Sequence, residues 1–422
     1  MVDSLDDLVC PRCKSPLDRD VKSTDDGAFG HLNCPCHSYP VVAGVPVIQR
    51  NALVEQTADL VANGRRDAAV ATLLNRSRRS FPARESLGRA ARAVQSLPPP
   101  LRWYLRTAAV VEGRVGVETP ATFTGLIDER VRGHFADYLR YRTVEQSFWG
   151  LHAVLPRIAS RSGAVLDFGG GWGHSSQVVH ASTDRRVCNV EIDFAPLYYQ
   201  RRFFDEDIST VVVEPGGDLP FREDAFKTIL DLDGFHYVPN KYSVAGEYER
   251  VAHPDGQILL LHAHNRGYTD RGDPLDADAY LDCFSWSGRV TPEESFLEAF
   301  LTGTDDFTVP AWPGSASQDL CLLFERDDTP DSTISLVDHP FRSITGPLVV
   351  NPLFDRTRSD AGLELSRGPV SDQFAEEFAF SLSHTDETYV LEEETDPFDP
   401  LVRGVLSPLP ASYSPDEPVS LD

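Results

Sequence analysis

The stretch Asp167-Phe168-Gly169-Gly170-Gly171-Trp172-Gly173 places four glycines in five positions, behind an apolar run and ahead of a helical periodicity. Glycine at that density lets a backbone pass beneath a ligand where a Cβ would collide, and a strand–loop–helix setting makes that ligand a nucleotide. The dinucleotide fingerprint G-x-G-x-x-G is excluded, because His174 and Ser176 stand where its last glycine would fall. What fits is D-x-G-x-G-x-G through Asp167, Gly169, Gly171 and Gly173, with Asp167 placed to accept from a ligand ammonium or to order the loop. Glu191 follows Gly173 by 18 residues, at the end of the next apolar run. A carboxylate there can accept from both hydroxyls of a ribose.

Two further groups of residues could do chemistry. Asp231, His236, His262 and His264 fall at or just past the ends of two expected strands, where ligands gather in open α/β sheets. Imidazole titrates near ~6.5, which suits removal of a hydroxyl proton at neutral pH. His264 is the first choice of base, with His236 and Asp231 as further catalytic candidates. At the other end of the chain, "CPRCKSPL" and "CPCHSYP" present Cys10, Cys13, Cys34, Cys36 and His37. Two tight ligand pairs across a loop suit a tetrahedral zinc site. Four thiolates, Cys10, Cys13, Cys34 and Cys36, are the expected set, with His37 as the alternate ligand.

These residues need elements to hold them. From 163 to about 262 the pattern alternates. "AVLDF", "RRVCNVEI", "STVVVE", "FKTILDLD" and "QILLLHAH" suit strands, while "HSSQVVHAS", "PLYYQRRFF" and "KYSVAGEYERVA" suit helices. Such alternation predicts a parallel sheet covered on both faces. "DFTVPAW" and "DLCLLFERDD" would add two strands. Residues 51–150 suit a largely helical segment, interrupted by "QSLPPPLRW", and 329–422 carry short β-like runs such as "PLVVNPLF", "EEFAFSLS" and "ETYVLEEE". The expected division is a zinc-ribbon module at 1–50, a helical linker or cap at 51–150, an α/β Rossmann-like domain at 151–328 and a β-rich extension with an acidic tail at 329–422.

The 422 residues carry a formal charge of -26, and only four of the 39 basic residues are lysines. Acid excess with so little lysine fits a proteome adapted to high salt. An acidic surface argues against nucleic acid, though less so where acidity is general. Arginine-bearing stretches ("NGRRDAA", "NRSRRSFPAR") suit a solvated helix face as well as a nucleic-acid surface. No apolar run approaches the ~20 residues of a membrane span. "MVDSLDDLVC" lacks the basic and apolar regions of a signal peptide, so a cytoplasmic location is expected.

The glycine loop and the segments downstream of it resemble the class I S-adenosylmethionine-dependent methyltransferases, in particular the methyltransferase type 11 group. "GGDLPFREDAFKTILDLDGFHYV" is similar to that group's LPF-x-D-x-x-F-D stretch running into L-H-H-V, and "EYERVAHPDGQILLL" to its E-x-x-R-V-L-x-P-G-G approach to a strand. The resemblance implies that Gly169, Gly171 and Gly173 line the methionine and ribose of S-adenosylmethionine. It puts Asp167 near the amino group, Glu191 on the ribose, and Asp218 and Leu219 near the adenine. Separately, "CPRC" and "LNCPCHSYPVVAGVPVI" resemble the Trm112-like zinc ribbons, with the second cysteine pair shifted in register.

Together these resemblances imply methyl transfer to a small-molecule, sugar or surface-glycan acceptor, on oxygen or nitrogen. A first alternative is a methyltransferase of rRNA, tRNA or a translation factor. "DLDGFHY" stands where base N-methyltransferases carry Asn/Asp-Pro-Pro-Tyr, which disfavours it. A second alternative is a non-catalytic scaffold that keeps the fold alone.

Overall fold

The computed structural model describes residues 7–74 apart from 26, 121–301 apart from 132–133, 205–206, 215 and 269–270, 319–326, and most of 348–407. The chain opens with an antiparallel meander of β1 (Asp18–Thr24), β2 (Gly27–Cys34), β3 (His37–Val42) and β4 (Val45–Ile48). Two helices follow, α1 (Ala52–Ala62) and α2 (Arg66–Leu74). Asn51 caps α1 by accepting from the amides of Leu53 and Val54, both at 3.1 Å. Next come α3 (Phe123–Arg130), α4 (His134–Arg140) and α5 (Gln146–Ser160).

The alternating region then supplies β5 (Val165–Phe168), α6 (His174–Thr183), β6 (Val187–Glu191), α7 (Phe194–Phe203), β7 (Ser209–Val213), β8 (Phe226–Leu232), α8 (Lys241–Val251) and β9 (Ala252–His264). It is completed by α9 (Ala277–Leu281), β10 (Ser287–Pro292), α10 (Glu293–Leu301) and β11 (Asp319–Glu325). All eleven strands lie in one sheet, ordered β1-β2-β3-β4-β7-β6-β5-β8-β9-β11-β10. Counted from β5 as first, the Rossmann-like part runs 3-2-1-4-5-7-6, parallel except where β11 runs against both β9 and β10. Winding outward from β5 in both directions makes the boundary of β5 and β8 the switch point, where an open α/β sheet leaves a crevice for ligand.

Apolar alternation explains how the sheet is covered. Leu166, Ile229 and Leu260 face one side with Tyr248 and Phe226. Val165, Leu230 and Leu259 face the other with Phe148, Leu155 and Val178. The C-terminal residues Val350, Leu353, Leu365 and Leu406 join that second cluster, so the extension caps one face of the sheet. It contains β12 (Val349–Val350), β13 (Phe354–Ser359), β14 (Gly362–Arg367), β15 (Thr388–Leu391) and β16 (Leu406–Ser407).

The α/β class and the order of elements agree with expectation, and three particulars differ. The cysteine-bearing meander extends the large sheet, because β4 pairs in parallel with β7 through Val47↔Val212 and Ile48↔Val213. "SGRVTP", with a single β-branched pair, is strand β10, recruited by six register pairs to the edge of β11. Most of "EEFAFSLS" falls in the helix Ala379–His384, so the β-like composition there is overridden. "DFTVPAW" and "QSLPPPLRW" lie outside the described residues.

Candidate functional site

The glycine loop leaves β5 and turns into α6 at the switch point. Gly169 has φ +68°, and a Cβ there would meet nothing within 4 Å, because that side opens into a cavity. Gly173 is glycine for a different reason. Its φ is +91°, and a Cβ would stand 2.3 Å from the Gln200 side chain in α7. The loop is braced from below by Asp167, which is fully buried and accepts from the hydroxyls of Ser175 at 2.7 Å and Ser176 at 2.5 Å. Burial pushes the Asp167 carboxyl up, and the two serines partly offset this. Glu191, ending β6, accepts from the amide of Gly171 at 3.0 Å and from that of Ile192 at 3.0 Å.

The cavity above this loop has a volume of about 480 Å³. One end is lined by Gly169, Gly171, Glu191, Val213 and Gly216, and the other by Asp233, Tyr237, His262, His264 and Asp319. At the second end His264 is nearly buried, and its Nδ1 donates to Asp319 Oδ1 at 2.7 Å. Since a carboxylate only accepts, Nδ1 carries the proton and Nε2 is left as the acceptor. His262 Nδ1 donates likewise to Glu293 Oε2 at 2.8 Å. Burial alone would lower His262, but the carboxylates of Glu293 and Asp319 outweigh it and push it up to about 10. Burial raises Asp319, yet the two histidines beside it hold it below the ordinary carboxylate range.

Several residues expected at the ligand stand elsewhere. Asp167, Gly173, Asp218, Leu219, Asp231 and His236 do not line the cavity. Asp218 is on the surface, 3.6 Å from Lys14, and Leu219 is in the core with its amide donating to Glu247. Of the end of β7 and the segment after it, Val213 and Gly216 line the cavity. Asp167 takes both serine hydroxyls on Oδ2, and its Oδ1 has no hydrogen-bond partner. Asp231 is buried and accepts from Tyr248 Oη at 2.6 Å and from the Gly234 amide at 3.0 Å. Burial pushes it up to about 7. His236 lies behind the wall, its ring stacked 3.9 Å from that of His264. Burial and the neighbouring imidazoles pull it down to about 2, so it is neutral.

Glu293 and Asp319 were not anticipated. Their one trace in the sequence is an acid at the head of an apolar run, "DLCLLFE", and a Pro-Glu-Glu helix start.

At the far edge of the sheet the four cysteine sulfurs of Cys10, Cys13, Cys34 and Cys36 all lie within 4.8 Å of one another. His37 is outside this group, its ring 4.6 Å from that of Tyr39. The cysteine knuckle is tied to the α/β domain by the Val9 amide donating to Pro220 O at 2.9 Å and the Arg222 amide to Asp7 O at 3.0 Å.

Residues 166–260 match the family described as "Methyltransferase domain". The chain is a methyltransferase. Among solved structures it is similar to geranyl diphosphate C-methyltransferase from Streptomyces coelicolor, 16% identical over 42% of this chain and 77% of that one, with a TM-score of 0.32. It is also similar to a chain of the complex between the Haloferax volcanii Trm112 methyltransferase activator and a putative methyltransferase (14% identical, 50% of this chain, 99% of that one, TM-score 0.34). A SAM-dependent methyltransferase from Aquifex aeolicus is a third (16% identical, 37% and 89% covered, TM-score 0.32). No curated protein matches the sequence. Among the described residues, no helix is long and apolar enough to cross a membrane.

Proposed function

We propose that this methyltransferase draws its methyl group from S-adenosylmethionine and places it on the hydroxyl or amine of a small-molecule or sugar-type acceptor. One observation carries this: a single cavity joins the glycine loop and Glu191 at one end to His264 and Asp319 at the other. The loop fits the cofactor, because the open side of Gly169 is space that a side chain would fill, and the acid of Glu191 faces the same space. Gly169 and Gly171 would hold the methionine and ribose portion, and Glu191 the ribose. When bound, the cofactor supplies an electrophilic methyl on a sulfonium. The protein's part is then to align the acceptor and exclude water. His264 is where the acceptor is activated, its Nε2 kept free by the bond to Asp319.

A small acceptor suits a cavity of about 480 Å³ better than a nucleic acid would, and acids outnumber arginines along its walls. The cysteine cluster would hold zinc through four thiolates, as the donor set and spacing suit a closed structural site. The deciding measurement is isothermal titration of the full chain with S-adenosylhomocysteine. Binding near equimolar stoichiometry is expected. An absence of binding by folded protein overturns both the cofactor and the reaction.

A further inference from the structure

We propose that Asp233, His236 and His264 form a divalent transition-metal site in the wall of the cavity, at the carboxyl ends of β8 and β9. The proposal rests on the acceptor lying at His264 and specifies what acts on it there. One ligand atom from each of the three lies within 4.8 Å of the others, a spacing that small side-chain shifts would close around an ion bonded at ~2.1 Å.

Two independent features mark the cluster as more than adjacent polar groups. The first is an orphan. His236 is fully buried, and its Nε2 has no hydrogen-bond partner. The nearest carboxylate oxygen, Asp233 Oδ1, is 3.6 Å away, beyond a hydrogen bond. Leaving a buried polar atom unsatisfied is destabilising, so a partner in this space would be favourable. Its other nitrogen, Nδ1, receives only a 3.5 Å contact from the His264 amide, too long to fix the tautomer. The second is the outer support. His264 donates a hydrogen bond from Nδ1–H to Asp319, which directs Nε2 outward and raises its basicity, as carboxylates do behind ligating histidines.

Charge favours a cation here as well. Glu145, Glu191, Asp233, Glu294 and Asp319 line the cavity against Arg142, Arg271 and the protonated His262, and Arg142 is paired with Glu145. Two imidazoles and one carboxylate make a borderline donor set that suits manganese, iron, cobalt, nickel or zinc rather than magnesium or calcium. The cavity side of the cluster stays open, so the remaining coordination positions are available to an oxygen of the acceptor. Coordination would lower the pKa of that oxygen and fix its direction.

The test uses the full chain and Mn²⁺, which has little affinity for thiolates and so leaves the cysteine cluster silent. Free Mn²⁺ is followed by its electron paramagnetic resonance signal, with S-adenosylhomocysteine titration in parallel. One saturable site is expected. It should be lost in His264→Ala, weakened about tenfold or more in Asp233→Asn, and kept in Cys34→Ser. Asp233 has φ +63°, which asparagine tolerates, so that variant keeps the fold even if the histidine variant does not. Wild-type protein that binds S-adenosylhomocysteine but no Mn²⁺ at millimolar concentration overturns the metal site and leaves the methyltransferase intact. Binding unaffected by Asp233→Asn and His264→Ala overturns it too. Loss of S-adenosylhomocysteine binding in the wild type is the separate failure of the cofactor assignment.

Discussion

The two ends of the cavity are built in different ways. The donor end is a local device: Asp167, Gly169, Gly171, Ser175 and Glu191 come from one strand–loop–helix–strand unit, and their bonds span 8 to 20 residues. The acceptor end is assembled from β8, β9, the start of α10 and the start of β11, joining His262 to Glu293 and His264 to Asp319 across 31 and 55 residues. The donor end relies on backbone amides and conformations that only glycine adopts freely. The acceptor end relies on side-chain charge held at low exposure. The first can therefore be damaged by adding a single methyl group, and the second by changing a single proton or charge.

The largest separation between the ends should come from His264→Ala. If His264 activates the acceptor as proposed, its removal should cost about 10²–10⁴-fold in the methyl-transfer rate, the usual scale for a positioned acid–base group. This is read in single-turnover assays with labelled S-adenosylmethionine and an acceptor that the parent enzyme methylates. Affinity for S-adenosylhomocysteine should stay within about twofold. If both change together, the two ends are not independent and the division between them fails.

The converse variant is Glu191→Ala. It should weaken S-adenosylhomocysteine binding by about 1–3 kcal/mol, the scale of hydrogen bonds to a charged group. Part of that loss is indirect, because the Gly171 amide also loses its acceptor. Titration calorimetry checks it, and an unchanged Kd would remove Glu191 from the ribose. Gly173→Ala should act on stability rather than on either end. Its Cβ collides with Gln200 and its φ is left-handed, so a loss of about 1–3 kcal/mol is expected in denaturant unfolding. A neutral result would mean that α7 yields easily.

The same contrast explains what the sequence discloses. A local device leaves a local pattern, and so Gly169, Gly171 and Glu191 are legible from spacing alone. The cysteine cluster is legible for the same reason, since each knuckle is a tight pair. Pattern gives the type of residue but not its facing. Gly173 and Asp167 carry the motif, yet one is required by Gln200 and the other by two serines. Asp218 and Leu219 fit a family stretch, yet one stands beside Lys14 and the other gives its amide to Glu247. Glu293 and Asp319 leave almost no trace, because nothing in a one-dimensional pattern says that the heads of α10 and β11 converge on β9. Such convergence is fixed by sheet order, and the antiparallel placement of β11 beside β9 is what sets Asp319 opposite His264.

The last test asks whether Asp231, between the two ends, is a strut. Its carboxyl is held at about 7 by burial, against ~3.9 in an unfolded chain. Below the unfolded value both states are protonated, and the group imposes no penalty. Between the two values the unfolded chain releases the proton while the folded chain keeps it, so folding loses stability as pH rises. Above about 7 the full penalty is present. Asp231→Asn cannot ionise and keeps an oxygen for the Gly234 amide. The variant should gain stability relative to the parent as pH is raised from 4 to 8, with the two unfolding curves converging at the acid end apart from a constant offset. Parallel pH profiles would mean that Asp231 ionises freely in the folded state. Asp231 would then be a solvated acid available for chemistry, and the acceptor end would reach deeper than the wall formed by His264.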